Sequence, residues 1–305
     1  MKKTITEKLL VGVSALLLSS ALFASGGGDG GDGGGDGGSN PPPSGGNACG
    51  PAPTSSALSR TGASGPFSVR TKSVSSYAAS GFGGGTIHYP TNSNCGRMGA
   101  IAVVPGYVSR ESSIRWWGPR LASWGFVVIT IDTNSGYDQP NSRARQLSAA
   151  LDHVISDSTV GSMVDRNRLG AIGWSMGGGG SLKLATDRSE VKAIIPQAPW
   201  YSGSYGRMNT PAFMIACEND AIAPTSSHVD DFYRDASGPK MKIEVNNGSH
   251  YCANSGYNEA LLGKPGIAWM KRYIDGDTRY NQFLCSQENY GSSRDVSDYD
   301  YASCP

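Results

Sequence analysis

The chain has 305 residues, of which 42 are glycine and six are cysteine, and its formal net charge is +1 at neutral pH. A nearly neutral chain gives no electrostatic reason to expect binding to nucleic acid or to an anionic membrane surface. The length is sufficient for one large domain with a full hydrophobic core.

The first 24 residues have the layout of a secretory signal peptide. Three lysines lie within the first eight residues, an apolar stretch covers residues 9–18, and small residues end the segment at Ala24. The apolar stretch is too short for a membrane span. Ser25 stands where a lipid-anchored bacterial protein would carry a cysteine. We therefore expect a secreted, extracellular protein without a membrane span.

Residues 25–47 are mostly glycine with three aspartates and then a run of prolines. Such a composition cannot bury enough apolar surface to fold, so we predict a disordered linker. Residues 27–32 match the start of a calcium-binding nonapeptide repeat, but Gly34 stands at its apolar position and no second copy follows. A plain linker is favoured, and we expect no metal. Residues 48–305 are then the folded domain.

Short apolar or alternating runs alternate with helical patterns along this domain. This order is typical of a mostly parallel sheet covered by helices on both faces, an α/β fold. We expect the first two strands to be antiparallel. Strands are predicted at 67–72, 84–89, 101–104, 126–131, 168–172, 191–195, 212–216 and 240–245, and helices near 113–123, 142–156, 177–187 and 258–274.

A serine between two glycines joins a predicted strand to a predicted helix at residues 173–177, Gly-Trp-Ser-Met-Gly. In a glycine-rich chain this pattern alone is weak, but its position favours a nucleophile elbow with Ser175 at the apex. Glu218 and Asp220 follow the end of one later strand, and His250 follows the end of the next. Serine, acid and histidine in this order are typical of an α/β-hydrolase.

These three residue types together indicate nucleophilic catalysis. A serine hydroxyl is a poor nucleophile, so His250 has to accept its proton, and a buried carboxylate has to orient the imidazole. We choose Asp220 for the acid and keep Glu218 as the alternative. The oxyanion needs two donors, which we expect to be the backbone N–H of Met176 and one from residues 105–107.

Two further histidines lie away from the predicted strand ends. His88 falls within an early strand and His153 within a helix. Histidines at such positions more commonly have structural or surface roles than catalytic ones. We therefore interpret neither as catalytic.

Six segments together resemble one known family. They are residues 104–107, 116–123, 131–134, 173–180, 217–224 and 248–250. These motifs resemble those of bacterial cutinase-like polyester hydrolases, the group of dienelactone hydrolase-like proteins that includes PET hydrolases, and the resemblance covers residues 50–304. It implies a lidless α/β-hydrolase fold, a shallow exposed groove that accepts bulky esters and polymer chains, no cofactor, and a monomer.

The resemblance also implies roles for single residues. Tyr107 and Met176 would supply the oxyanion hole, and Trp200 would stack on an aromatic acyl ring. The bulky pair of His228 and Phe232 would pack behind Trp200 and make it less mobile, which leaves efficiency on PET open. The substrate-binding set is Tyr107, Trp174, Trp200, Ile222, His228, Phe232, Tyr251 and Asn254, whereas ordinary core packing is expected for Trp116, Trp117, Trp124 and Trp269.

Six cysteines in an exported chain predict three disulfide bonds. A bridge between Cys217 and Cys252 would link the acid loop to the histidine loop, although a purely structural role is equally consistent. A bridge between Cys285 and Cys304 would hold the C-terminal tail. Cys49 would then pair with Cys95.

The function predicted is a secreted serine hydrolase of carboxylic esters that cleaves polyesters, PET among them, through a Ser-His-Asp triad and an acyl-enzyme. A short-chain carboxylesterase or a triacylglycerol lipase is the alternative enzyme, although no long apolar insertion suggests a lipase lid. The non-enzymatic alternative is a silent binding module on a tether, which would most simply have lost one member of the triad.

Overall fold

The computed structural model describes residues 48–203, 205–286 and 294–303. The predicted signal peptide and linker lie outside the described residues. The described residues form a nine-stranded sheet with the order β1-β2-β4-β3-β5-β6-β7-β8-β9. The strands are β1 Ser68–Val74, β2 Gly85–Thr91, β3 Met98–Val104, β4 Val127–Ile131, β5 Val164–Trp174, β6 Val191–Gln197, β7 Ala212–Cys217, β8 Lys240–Val245 and β9 Val296–Ala302.

The middle of the sheet is parallel and both edges are antiparallel. Strands β4, β3, β5, β6, β7 and β8 pair in parallel, whereas β1 pairs with β2, β2 with β4, and β8 with β9 in antiparallel fashion. The predicted antiparallel start and parallel centre are therefore confirmed. The carboxyl ends of the parallel strands lie at one edge, where ligands of such sheets bind.

The helices are α1 Ser55–Ser59, α2 Trp117–Ala122, α3 Pro140–Ser156, α4 Met176–Asp187, α5 Val229–Asp235 and α6 Glu259–Ile274. The last three long helical patterns match α3, α4 and α6. The helix predicted near 113–123 is shorter, because a 3-10 turn at Glu111–Ser113 precedes α2. Helices α1 and α5 and strand β9 were not predicted.

The core has two layers, one on each face of the sheet. Strand β3 is buried along its whole length, and its alternate residues enter different layers: Ile101 and Val103 on one face, Ala102 and Val104 on the other. This alternation is what a strand covered on both faces requires. Residues of α1, α2 and α6 fill the first layer, and residues of α3, α4 and α5 fill the second.

The tryptophans expected in the core divide into two groups. Trp117, Trp124 and Trp269 are buried. Trp116 is only partly buried, and its indole Nε1 donates to Ala253 O at 3.2 Å. The Trp116 ring therefore packs against the core, as predicted, while its N–H has a polar partner in the loop before α6.

Two of the predicted disulfide bonds are present, Cys49–Cys95 and Cys217–Cys252. Cys285 is also disulfide-bonded, whereas Cys304 lies outside the described residues. Within the described part of the chain, no helix is both long and apolar enough to cross a membrane.

Candidate active site

The turn between β5 and α4 holds Ser175 in a strained conformation. Strand β5 ends at Trp174 and helix α4 begins at Met176, so a single residue makes the turn. Ser175 has φ 56° and ψ −123°. A non-glycine residue at such a positive φ is uncommon and costs about 1–3 kcal/mol, and such residues concentrate at functional sites.

The two glycines of this turn are required by close backbone approaches. A Cβ on Gly173 would lie 2.0 Å from Gly177 O, and a Cβ on Gly177 would lie 2.5 Å from Val104 O. Neither obstacle is a flexible side chain. The glycine spacing of the motif therefore has a steric cause in this fold.

Ser175, His250 and Asp220 form one hydrogen-bonded chain. His250 Nε2 lies 2.8 Å from Ser175 Oγ, and His250 Nδ1 lies 2.7 Å from Asp220 Oδ2. All three residues are buried. Glu218 is turned away and exposed, and its Oε2 accepts from the backbone N–H of Asn247 at 2.7 Å. The structure thus brings Asp220, and not Glu218, to the imidazole.

Asp220 is surrounded by donors that favour its ionised form. Burial alone would raise its pKa, but hydrogen bonds from His250 and from the N–H groups of Ala223 and Ile222 outweigh burial and hold the pKa below its usual range. Both backbone bonds go to Oδ1, at 2.8 Å each. Oδ2 is therefore directed to the imidazole as a charged acceptor.

The loop that carries His250 is attached to the elbow and to the acid loop. Trp174 Nε1 donates to His250 O at 2.8 Å, and the Trp174 ring lies 5.3 Å from the rings of His250 and Tyr251. The Cys217–Cys252 bridge joins the two loops covalently. Trp174 is 2% exposed. Its side chain therefore supports the histidine loop and leaves almost no exposed surface, and its predicted place in the cleft stays a prediction.

The expected oxyanion donors belong to segments that lie next to Ser175. Met176 N–H is at the first position of α4, where the helix dipole favours negative charge. Gly106, before Tyr107, lies so close that an added Cβ would meet Ser175 Cβ at 2.8 Å. Neither Met176 N–H nor Tyr107 N–H has an acceptor among the described residues. Both groups can therefore donate to a ligand.

The surface around Ser175 is aromatic and open. Tyr107, Ile222 and Tyr251 are 47%, 52% and 56% exposed, and Trp200 is partly exposed. Tyr137 was not predicted here, yet its ring meets the Tyr107 ring edge-on at 5.6 Å. It was missed because it lies in a loop 30 positions along the chain from Tyr107, without a motif of its own.

Other residues of the predicted substrate-binding set lie beneath the surface. Phe232 is buried, with its ring 6.0 Å from the His228 ring and 5.1 Å from the Tyr205 ring. Asn254 is also buried, and its Oδ1 accepts from Ser255 Oγ. Both side chains are thus largely covered in this structure, and their place in the substrate-binding set stays a prediction.

The two histidines interpreted as structural lie outside this site. His88 is buried within β2, and burial lowers its pKa to about 4, with Glu111 partly opposing the effect. The ring of His153, in α3, contacts the ring of Phe82 edge-on at 5.5 Å. In the described part of the chain, no group of three or more metal-binding side chains is close enough to hold a metal ion.

Comparison with known proteins identifies a family and several relatives of the chain. The model of the PET hydrolase-like family matches residues 43–305. The chain belongs to the PET hydrolase-like family. It is 66% identical to Lipase 1 of Moraxella sp. (strain TA144) over 253 residues, which is 83% of this chain and 79% of that protein. As a member of this family, the protein is a carboxylic ester hydrolase with an α/β-hydrolase fold.

The names of two further relatives refer to other ester substrates. The chain is 48% identical to the bis(hydroxyethyl) terephthalate hydrolase of Streptomyces coelicolor (strain ATCC BAA-471 / A3(2) / M145), over 77% of this chain and 76% of that protein. It is 46% identical to a cutinase of Thermobifida fusca (strain YX), over 84% of each chain. The hypothesis of a silent binding module is therefore wrong for this PET hydrolase-like protein.

Proposed function

We propose that the protein is a secreted serine hydrolase that cleaves polyesters, including aromatic ones, through Ser175, His250 and Asp220. The observation that carries the proposal is the hydrogen-bonded chain of 2.8 Å and 2.7 Å that starts at a strained serine. The same geometry is the general arrangement by which a histidine activates a serine hydroxyl.

In the acylation step, Ser175 Oγ attacks the ester carbonyl carbon while its proton passes to His250 Nε2. The new imidazolium is stabilised by ionised Asp220, whose lowered pKa keeps it charged at neutral pH. The carbonyl oxygen becomes negative and accepts from Met176 N–H and Tyr107 N–H. Pre-placed donors of this kind supply about 3–4 kcal/mol each to the stability of the transition state.

The acyl-enzyme is resolved by the same groups. His250 Nε2 first gives its proton to the leaving alcohol oxygen, so the ester C–O bond breaks and the acyl group stays on Ser175. Water then attacks this second ester while His250 takes a proton from the water. Collapse of the intermediate returns the proton to Ser175 Oγ and releases the carboxylic acid.

The shape of the site supports a bulky substrate with a ring. Tyr107, Trp200 and Tyr251 offer ring faces and edges around Ser175, and offset or edge-on ring pairs add about 0.5–1.5 kcal/mol beyond the burial of area. The exposure of Tyr107 and Tyr251 keeps the surface open to a chain that continues beyond the reacting ester.

A second candidate function is the hydrolysis of triacylglycerols or short-chain esters. The Moraxella relative, at 66% identity, is named a lipase. The triad and oxyanion hole would act in the same way on such esters. The two candidates differ only in what the aromatic surface binds.

Export is part of the proposal. The signal peptide at residues 1–24 would direct the protein out of the cell, residues 25–47 would act as a linker, and residues 48–305 would be the catalytic domain, acting as a monomer. The disulfide bonds support an oxidising compartment.

The nucleophile is tested with Ser175→Ala on p-nitrophenyl butyrate. We expect kcat to fall about a millionfold, because loss of a triad serine removes the nucleophile. Ser181→Ala is the matched control: Ser181 is also buried near the elbow, but its Oγ donates to Gly178 O. Retention of most activity by Ser175→Ala would show that the proposed mechanism is wrong.

The substrate is tested by product analysis after incubation with PET film, an aliphatic polyester film and a tributyrin emulsion. The proposal expects soluble acids and alcohols from both films, and these products should disappear with Ser175→Ala. Release of products from tributyrin alone would favour the lipase candidate instead.

A further inference from the structure

One fully buried arginine, Arg143 in α3, binds three backbone carbonyls next to the site. Its Nη1 donates to Pro105 O at 2.9 Å, its Nη2 to Gly136 O at 2.9 Å and its Nε to Asp138 O at 2.8 Å. Its side chain is 0% exposed. Within the described residues it forms no ion pair with a carboxylate.

A cation buried in this way is costly for a fold. Burial lowers the pKa of Arg143 to about 10, with Asp138 partly opposing the effect, so the group still carries its charge at neutral pH. A planar guanidinium has donors in a fixed fork and can hold several acceptors at set positions. The Arg143 guanidinium therefore fixes the positions of the three carbonyl oxygens to which it donates.

Two of those carbonyls control the loop that carries Tyr107. Pro105 precedes Gly106 and Tyr107 directly. On the other side of Tyr107, Val108 N–H donates at 2.8 Å to Gly136 O, the same oxygen that Arg143 binds. Val108 has φ 52°, a strained value for a β-branched residue. Arg143 thus holds both flanks of Tyr107, one directly and one through Gly136.

The carbonyls after β4 are themselves held in place. Gln146, one turn along α3 from Arg143, accepts from Asn134 N–H at 2.7 Å and donates to Asp138 Oδ2 at 2.9 Å. Ser135 N–H also donates to Asp138 Oδ2, at 2.9 Å. The segment from 134 to 138 is therefore held by hydrogen bonds of its own besides those to Arg143.

Helix α3 also touches the element that carries the second oxyanion donor. A Cβ added to Gly180 in α4 would meet Arg143 Cβ at 2.9 Å, so the two helices are in close contact at Arg143. Helix α4 begins at Met176. One residue therefore packs against the helix of Met176 and binds the loop of Tyr107.

We propose that Arg143 is a positioning residue that sets the distance between the Tyr107 and Met176 N–H groups of the oxyanion hole. This inference rests on the proposed function, in which both groups bind the oxyanion. Lysine could not replace the guanidinium, because one ammonium cannot hold three carbonyls in the same fork.

The test compares Arg143→Lys with Arg120→Lys. Arg120 is also 0% exposed and also binds the backbone, through Leu58 O, and it donates to Ser64 Oγ. It lies in α2, on the opposite face of the sheet. Both variants keep the charge and lose the fork, so Arg120→Lys controls for the general effect of altering a buried arginine.

Rates on p-nitrophenyl butyrate are measured for both variants, per active site titrated with diethyl p-nitrophenyl phosphate. For Arg143→Lys we expect kcat to fall about 10- to 100-fold with little change in KM, because misplacement of a catalytic group by about 1 Å costs up to about 100-fold. The affinity for butylboronic acid, which forms a tetrahedral adduct with the serine, should fall by a similar factor. Arg120→Lys should lose thermal stability but keep kcat and boronate affinity.

The proposal is overturned if Arg143→Lys keeps its kcat, or if kcat falls without loss of boronate affinity. Should the lysine variant not fold, Arg143→Gln is compared with Arg120→Gln in the same assays. If neither Arg143 variant folds while both Arg120 variants do, Arg143 is a folding residue and the proposal is wrong. Ser175→Ala separates a failure of the proposed function from a failure of the inference about Arg143. If Ser175→Ala is inactive while Arg143→Lys has normal activity, only the inference about Arg143 fails.

Discussion

Two histidines are buried to the same degree but lie in opposite surroundings. His250, 5% exposed, follows β8, and both of its ring nitrogens have partners. His88, 3% exposed, lies inside β2 opposite Val128; its Nε2 is 3.4 Å from Thr130 Oγ1, and its Nδ1 has no partner among the described residues. The environment of the ring, and not its burial, separates a group that can transfer protons from one that is kept neutral.

The two regions also differ in how they are built. The His250 loop leaves the sheet at the edge where parallel strands end, so Ser175 and Asp220 reach the same point from other strands. His88 has strand neighbours on both sides, and its side chain points into a packed layer. His88, in the middle of β2, lies away from the strand ends at which Ser175 and Asp220 meet His250.

The largest expected effect tests this contrast directly. His250→Gln should lower kcat on p-nitrophenyl butyrate about a millionfold, because the proton acceptor is lost. His88→Gln should leave kcat within about threefold once rates are corrected for folded protein, since a site distant from the reaction affects only stability. Similar losses of kcat in the two variants would show that His250 and His88 do not differ in their role in the reaction.

The choice between the two acids comes next. Asp220→Asn should lower kcat about 10⁴-fold, since the neutral amide leaves the imidazole in the wrong tautomer. Glu218→Gln is the control, because the exposed Glu218 carboxylate accepts from Asn247 N–H and, among the described residues, makes no contact with His250. Steady-state kinetics of both variants show which acid orients His250. A larger loss of kcat in Glu218→Gln would assign that role to Glu218.

The disulfide beside His250 is expected to affect both stability and rate. Replacing Cys217 and Cys252 by serine should lower the free energy of unfolding by about 4 kcal/mol, the chain-entropy value for a loop of this length. The double variant of Cys49 and Cys95 should lose a similar amount. Only the first variant should also lower kcat in the folded protein, because only that bridge joins the acid and histidine loops. Denaturant titration measures the loss of stability, and steady-state kinetics measures kcat. An equal kcat in the two double variants would contradict the expected effect of the Cys217–Cys252 bridge on the rate.

The smallest effect concerns pH and the neutral ring of His88. Its pKa is about 4 when folded and 6.5 in the reference state. Below pH 6.5 the unfolded chain therefore takes up a proton that the folded protein does not. The free energy of unfolding is therefore unaffected by His88 above pH 6.5. It falls by about 3 kcal/mol in total as pH falls from 6.5 toward 4. In His88→Gln, urea titrations should show an acid-induced loss smaller by that amount, and parallel pH curves would exclude the effect.

The sequence was informative wherever a pattern reflects local geometry. Alternation and helical periodicity predicted strands β1 to β8 and the three long helices. The elbow was predictable because Gly173 and Gly177 are required by contacts within the turn itself. Chain order then placed Asp220 and His250 at strand ends, where the structure joins them to Ser175 by hydrogen bonds.

Features that depend on distant partners were not predictable. Strand β9 reads as a polar, tyrosine-rich segment, and it becomes a strand only because β8 offers a free edge. Trp174 was placed in the cleft by the family resemblance, yet its indole N–H donates to His250 O in the histidine loop. Arg143 carries no pattern at all, because its partners are backbone carbonyls that any sequence would supply.

The strained backbone of Ser175 sets a limit on how this enzyme can be made more heat-resistant. Glycine at position 175 would relax the positive φ and favour the folded state, but it would remove the hydroxyl that does the chemistry. A selection for thermostability alone would therefore work against the active site. Stabilising substitutions have to act away from the elbow, and an assay of ester cleavage has to accompany every gain in melting temperature.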